Sequence, residues 1–170
     1  MCANKDIIFI HGAPGSGKST VAQALHQQLN SPWFEFGWIP EFRQKGEAFL
    51  TYEEEEQLSF ENLCLVVRNY LRHGFCNIIL TDLRDPVLHQ ALRRFSRRNY
   101  LLVTLWVRTE DVLKQRVLDE TRLSGYRDWE EALALNQLYL SRPLLGNELR
   151  IDVTCCPIES VVNQILASIQ

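Results

Sequence analysis

The chain has 170 residues, of which 46% are hydrophobic, and it carries a formal net charge of −3. This length is enough for one domain with a substantial core and too short for two. The acidic balance disfavours a nucleic-acid-binding protein, because phosphate contacts usually need a basic face. No apolar run approaches the length of a membrane span, so we expect a soluble, cytoplasmic protein.

Five cysteines are present, and no two of them have the spacing C-x-x-C. An odd number without that spacing favours reduced thiols over a disulfide framework. We therefore expect mostly buried, free thiols and no metal site built from cysteine and histidine. The cysteines are Cys2, Cys64, Cys76, Cys155 and Cys156.

Apolar runs alternate with segments of helical period along the whole chain. Continuous apolar strands such as 78–80 suit a parallel sheet that helices cover on both faces. The sequence thus predicts a single α/β domain over 1–170, a three-layer α/β/α sandwich around a central parallel five-stranded sheet. In chain order, the predicted elements are strand 7–10, helix 18–29, strand 33–37, helix 52–73, strand 77–82, helix 86–96, strand 100–107, helix 110–121, helix 129–141, strand 149–153 and helix 157–169.

The connection between the first strand and the first helix matches the pattern G-x-x-x-x-G-K-[ST], in the strand–loop–helix context that this phosphate-binding loop requires. Its glycines let backbone N–H groups surround phosphate oxygens, and the helix start adds positive potential. Lys18 supplies a mobile charge, Ser19 a hydroxyl for Mg²⁺, and Thr20 a further phosphate contact. We expect a bound nucleoside triphosphate at Gly12, Ala13, Pro14, Gly15, Ser16, Gly17, Lys18, Ser19 and Thr20.

An acidic residue, Asp82, ends the third predicted strand. Because ligands of open α/β sheets lie at the carboxyl ends of the strands, its carboxylate is expected to face the phosphate loop and to hold Mg²⁺, directly or through water. Two alternatives remain at this stage: Asp82 caps the next turn, or Asp85 has the metal role.

Three arginines surround a short glycine-containing segment in the second half of the chain. Arg116 lies on the preceding helix, and Arg122 and Arg127 flank 123–126. Guanidinium groups there could meet the charge of a transferring phosphoryl group, and closure of the segment would exclude water. We therefore predict a lid at about 122–129, with ordinary surface arginines as the alternative.

An aromatic and charged segment, 31–43, follows the first helix. It is expected to hold the acceptor opposite the γ-phosphate, with an apolar wall and a carboxylate that orients a hydroxyl group. Trp33 and Phe34 are assigned to the core. The expected wall residues are Trp38, Phe42 and Tyr52, and the polar candidates are Glu35, Glu41 and Arg43.

Over essentially its whole length the chain resembles the small P-loop kinases related to adenylate, shikimate and gluconate kinases. The resemblance rests on 12–20, Asp82, the three arginines and the segment 150–154. Within this group, 32–37 is similar to the segment after the first helix in chloramphenicol phosphotransferases. The resemblance implies a central P-loop strand, phosphoryl transfer from ATP with Mg²⁺ to a small-molecule acceptor, and adenine held between Arg116 and a loop near 154–157.

At one position the chain departs from that pattern. Those phosphotransferases place an aspartate two residues after the glycine, as base for the acceptor hydroxyl, and this chain has Ile39. Glu41 is the preferred substitute, and Glu35 lies in a predicted strand and could point away. The leading hypothesis is an ATP-dependent small-molecule kinase with catalytic residues Lys18, Asp82, Arg122, Arg127 and Glu41; the alternative is an ATP-binding regulatory protein with little transferase activity.

Overall fold

The computed structural model of the chain describes residues 5–39, 50–121 and 124–169. Five strands form one sheet with the order β2-β3-β1-β4-β5, and every neighbouring pair is parallel. The predicted parallel sheet with the P-loop strand at its centre is therefore confirmed. The strands are β1 (Ile7–Gly12), β2 (Trp33–Glu35), β3 (Ile78–Thr81), β4 (Tyr100–Trp106) and β5 (Glu148–Asp152).

Helices cover both faces of the sheet. Successive side chains of a strand point to opposite faces, so each strand contributes to two cores. In β1, Ile8 and Ile10 join a core with four helices, α1, α4, α5 and α6. Ile7 and Phe9 join a second core with the other two, α2 and α3. The predicted three-layer α/β/α sandwich is thus confirmed. The helices are α1 (Lys18–Leu29), α2 (Tyr52–Arg72), α3 (Asp85–Arg94), α4 (Glu110–Leu118), α5 (Trp129–Ser141) and α6 (Ile158–Ile169).

Several predicted elements are too long. β3 lacks both ends of the predicted 77–82, since Asn77 and Asp82 have φ angles of 53° and 63°, outside the extended region. β2 ends at Glu35, where a 3₁₀ turn, Phe36–Trp38, begins. α4 ends at Leu118 instead of 121.

The starts of α2 and α3 differ in their cap chemistry. The acidic run 53–56 does begin α2, which has a capping box in which Thr51 and Glu54 satisfy each other's backbone N–H groups. The pair Asp85-Pro86 is typical of an N-cap followed by proline, but the N-cap of α3 is Arg84 and Asp85 is the first helical residue. Its carboxylate is directed to His11, 3.2 Å from the ring nitrogen Nε2.

The described cysteines are free thiols, as expected, but the prediction that most are buried is wrong. Cys64 is buried, Cys76 and Cys156 are partly buried and Cys155 is exposed. The reason is topological, since the pair 155–156 lies in the loop between β5 and α6 rather than in a layer of the core. Within the described ranges, no helix combines the length and apolar character that crossing a membrane demands.

A buried carboxylate, Glu148, anchors β5 to its surroundings. Its side chain is 0% exposed and accepts two hydrogen bonds from the Arg142 guanidinium, at 2.8 and 2.9 Å. The Thr104 hydroxyl and the Leu145 N–H donate to the same carboxylate, at 2.6 and 2.8 Å. Burial alone would favour the neutral acid, but these donors outweigh it and lower the pKa of Glu148 to about 2.

Candidate active site

The phosphate loop connects β1 to α1 and is packed tightly from behind. Gly12 has φ 146°, and a Cβ on it would overlap the carbonyl oxygen of Leu105 in β4. Gly15 has φ 85°, and a Cβ there would lie 2.9 Å from Val117 and 3.0 Å from Leu113, two fully buried residues of α4. Only glycine fits these two positions, so the loop conformation is fixed by β4 and α4.

We expect Gly15→Ala to destabilise the protein more than the matched control, Gly74→Ala. Gly74 has a similar φ of 82°, but no atom lies within 4 Å of the place that a Cβ would take, so Gly74→Ala adds backbone strain alone, about 1–2 kcal/mol. Gly15→Ala adds overpacking against α4, a further loss of about 1–3 kcal/mol. Urea unfolding of both variants measures the difference, and equal losses would contradict the packing of the loop on α4.

Positive charge is concentrated at the mouth of this loop. The Lys18 ammonium donates hydrogen bonds to the carbonyl oxygens of Gly12 and Ala13, at 2.9 and 3.3 Å, which hold it over the loop. Ser19 and Thr20 are exposed in the first turn of α1, and that turn contains no acidic residue. The helix dipole and Lys18 therefore favour an anion at the same place.

A groove of about 1130 Å³ opens over the loop, at the carboxyl ends of the strands. Such a volume can accommodate a nucleotide together with a second small molecule. It is bounded by the phosphate loop on one side, by β2 and the following turn on another, and by α4 and the start of α6 on a third. Its lining includes Pro14, Gly15, Ser16, Gly17, Lys18, Ser19, Thr20, Trp33, Glu35, Trp38, Asp82, Arg116, Tyr126, Val153 and Cys156.

Three acidic residues, Glu35, Asp82 and Asp119, line this groove, and two of them lie where strands of the sheet end. Asp82 follows β3 in the left-handed region of backbone space, with φ 63°, a conformation that costs energy outside glycine and often occurs at functional sites. Loss of hydration within the groove raises the pKa of Asp82, while the charges of Lys18 and Arg84 oppose that rise. The second carboxylate, Glu35, accepts a hydrogen bond from the Ser19 hydroxyl at 3.3 Å.

These oxygens fit a magnesium ion that is bound together with phosphates. Mg²⁺ usually takes one or two protein carboxylates and completes its octahedron with phosphate and water. Among the residues that the structure describes, no cluster of three or more His, Cys, Asp and Glu side chains could form an all-protein metal cage. Ser19 and the groove carboxylates therefore fit a site in which Mg²⁺ is shared with phosphate and water, and they do not fit an all-protein cage.

Arg116 connects α4 to the loop after β5. Its guanidinium donates to the carbonyl oxygens of Val153 and Thr154, at 2.9 and 3.0 Å. The Asp152 carboxylate accepts from the Thr154 N–H at 3.0 Å and fixes the same loop from its other side. Two segments between which the resemblance to P-loop kinases implies an adenine base are therefore in contact at one end of the groove.

The other predicted site residues have different outcomes. The exposed Arg127 donates to the carbonyl oxygens of Ser124 and Tyr126, both at 2.8 Å, and the groove lining does not include it. Arg122, Glu41, Phe42 and Arg43 lie outside the described residues. Tyr52, expected in the acceptor wall, is 67% exposed and lies beneath the Arg84 guanidinium.

One feature of the site was missed. Trp33, assigned to the core, does pack against it, but it also lines the groove, and its indole N–H donates to Thr81 at 3.0 Å. Glu35, one of the polar candidates, lines the groove and does not point away from it. The alternation of a strand was the signal for both, because Trp33 and Glu35 are two residues apart and share a face, whereas Phe34 packs on the opposite core.

The sequence profile of the family "chloramphenicol phosphotransferase-like protein" matches residues 5–139. The chain belongs to this family. No curated protein sequence is significantly similar to the chain. The family and the fold together place it among small-molecule kinases that bind a nucleotide at a P-loop.

Solved structures show the same fold at low sequence identity. A gluconokinase from Sinorhizobium meliloti is 16% identical with a TM-score of 0.63, over 95% of this chain and 90% of that one. A shikimate kinase from Bacteroides thetaiotaomicron is 20% identical with a TM-score of 0.63, over 95% and 96% of the two chains. A sugar kinase from a Janibacter species is 18% identical with a TM-score of 0.64, over 95% and 92%. All three are kinases of the α/β P-loop fold.

Proposed function

We propose that this protein transfers the γ-phosphoryl group of ATP, with Mg²⁺, to a hydroxyl or phosphate group of a small molecule. The observation that carries the proposal is the convergence of Lys18, Ser19, Asp82 and Arg116 on one groove. Lys18 and the start of α1 bind the phosphates, and Arg116 with the loop at 153–154 borders the base. In this proposal the chain is a single cytoplasmic domain over 1–170.

The metal site of the proposal consists of Ser19 and Asp82. When bound, Mg²⁺ neutralises charge that develops on the phosphate oxygens. The Ser19 hydroxyl is exposed at the start of α1, and Asp82 is exposed where β3 ends, so both donors are accessible from the groove. Loss of hydration within the groove raises the pKa of Asp82, and a cation bound beside it would oppose that rise and favour the ionised form.

The acceptor side of the groove is aromatic. The rings of Trp33 and Trp38 lie 5.0 Å apart at 55°, and Trp38 is 39% exposed. Such a wall packs against an apolar face of an acceptor while a polar atom of the acceptor approaches the phosphates. Glu41, Arg122, Arg127 and a lid at about 122–129 remain part of the proposal, as acceptor-side and closing elements.

The transfer itself needs few covalent roles from the protein. The acceptor oxygen forms a bond to the γ-phosphorus as the bond from that phosphorus to the β–γ bridging oxygen breaks, and ADP leaves. The proton of an acceptor hydroxyl passes to a carboxylate or to water. Lys18 stabilises the charge on the transferred group, so positioning and electrostatics supply most of the rate.

ADP release in the presence of a panel of acceptors tests the proposal. The panel contains nucleosides, nucleoside monophosphates, sugar acids, shikimate and aminoalcohol antibiotics, each compared with a reaction that lacks acceptor. We expect ADP release that depends on one acceptor class and on Mg²⁺.

One observation favours an alternative function. Ile39, where related phosphotransferases are expected to carry a catalytic aspartate, packs against the core beneath α2 and α3 and offers no oxygen to the groove. A protein that binds ATP for regulation would show this departure. ATP binding without ADP release for any acceptor in the panel would support that alternative over the kinase.

A further inference from the structure

The carboxylate of Glu35 occupies an unexpected position in this groove. Glu35 is the last residue of β2 and is half-buried, and its Oε2 atom accepts the Ser19 hydroxyl at 3.3 Å. In the register of the sheet it lies opposite Thr81, the residue before Asp82. The ends of the neighbouring strands β2 and β3 thus bring the carboxylates of Glu35 and Asp82 to the same part of the groove.

The spacing of Glu35 and Ser19 matches that of two adjacent metal ligands. An octahedral Mg²⁺ site has metal–oxygen distances of about 2.0–2.1 Å, which separates neighbouring ligands by about 3 Å. The separation of 3.3 Å between Ser19 and Glu35 therefore suits direct coordination, or coordination through a metal-bound water, with small side-chain adjustments.

Charge supports a metal role for Glu35 over a contact with bare phosphate. Phosphate oxygens and the carboxylates of Glu35 and Asp82 repel one another unless a cation lies between them. Lys18 provides one positive charge at this end of the groove. Arg84, the other cation near Asp82, forms an ion pair with Glu56 on α2.

We infer that Glu35 is a second carboxylate of the magnesium site, beside Ser19 and Asp82, and that it makes ATP binding depend on the metal. The inference rests on the proposed function. Without the metal, Glu35 repels the triphosphate; with it, Glu35 strengthens the complex. The side chain thereby selects metal-bound nucleotide over free nucleotide.

The test compares ATP affinity with and without metal in the full chain. Tryptophan fluorescence reports binding, because Trp33 and Trp38 line the groove. Dissociation constants are measured for ATP in EDTA and for ATP with Mn²⁺, and electron paramagnetic resonance follows the bound Mn²⁺. The ratio of the two constants is the metal preference.

We expect Glu35→Gln to lower this preference about 10-fold or more, the scale seen when groups that support a metal are removed. Its affinity for ATP in EDTA should be equal to or higher than that of the unmodified protein, and the Mn²⁺ spectrum should change. The matched control is Glu61→Gln, an exposed glutamate on α2 that accepts from Gln57 and lies outside the groove. The control should keep the original preference.

Other results would overturn the inference. An unchanged preference and spectrum in Glu35→Gln would remove Glu35 from the metal site, and a slower turnover alone would then assign it to the acceptor. An equal rise in the dissociation constants for ATP in EDTA and for ATP with Mn²⁺ would indicate that Glu35 has a structural role. If the unmodified protein binds ATP under neither condition, the proposed function itself fails, and this inference fails with it.

Discussion

Replacing Lys18 with alanine is expected to lower the rate of ADP formation by at least about 10²–10³-fold, the cost of removing one preorganised charge or donor from the transition state. The ammonium lies over the phosphate loop, held by the carbonyl oxygens of Gly12 and Ala13. Nothing else in the loop itself carries a positive side chain. ADP release with the best acceptor, measured at saturating ATP, gives the effect.

Lys114→Ala is the matched control for this experiment. Lys114 also lies on a helix, with its ammonium 3.7 Å from the centre of the Trp129 ring, and it does not line the groove. We expect the turnover of Lys114→Ala to differ only a few-fold from that of the unmodified protein. Equal activity of Lys18→Ala and the unmodified protein would remove the central claim that this loop positions the reacting phosphates.

Replacing Glu148 with glutamine is expected to cost about 3–5 kcal/mol of folding free energy. The neutral amide would leave the Arg142 guanidinium, 11% exposed, without its counter-charge in the interior. Urea unfolding at neutral pH measures the loss. Glu159→Gln, a change in the first turn of α6, is the control and should alter stability by less than about 1 kcal/mol.

The same carboxylate makes stability depend on pH. Because the pKa of Glu148 falls from 4.5 to about 2 on folding, its ionised form stabilises the native state by about 3 kcal/mol above pH 4.5. That contribution is lost as the pH falls from 4.5 through 2. The glutamine variant should lack this part of the acid dependence, and an identical slope in both proteins would contradict the ion pair.

Much of the fold could be predicted because its signals are local. The continuous apolar strands, the phosphate-loop motif and the acidic start of α2 each specify their structure within a few residues. The predicted ends of β3 were wrong because Asn77 and Asp82 have a positive φ. Asparagine and aspartate can adopt this conformation, but their presence in a sequence does not require it. Element boundaries depend on such choices.

The site was harder to predict because it depends on segments that meet only in the folded chain. Asp82 and Arg116, both named as candidates from the sequence, line the groove, and their roles there stay predictions. The contact between Glu35 and Ser19 joins the end of β2 to the start of α1, and the pairing of His11 with Asp85 joins β1 to α3. Neither pair has a sequence pattern, so only the three-dimensional arrangement reveals them.

The packing of Gly15 on α4 couples the two ends of the groove. Leu113 and Val117 contact the phosphate loop, while Arg116, within the same turn of the helix, holds the loop at 153–154. One rigid turn of α4 therefore sets the separation between the two ends of the groove. In the proposed function, this turn would hold the phosphates and the base of one nucleotide at a fixed separation, so a substitution that shifts it would disturb both ends of the groove together.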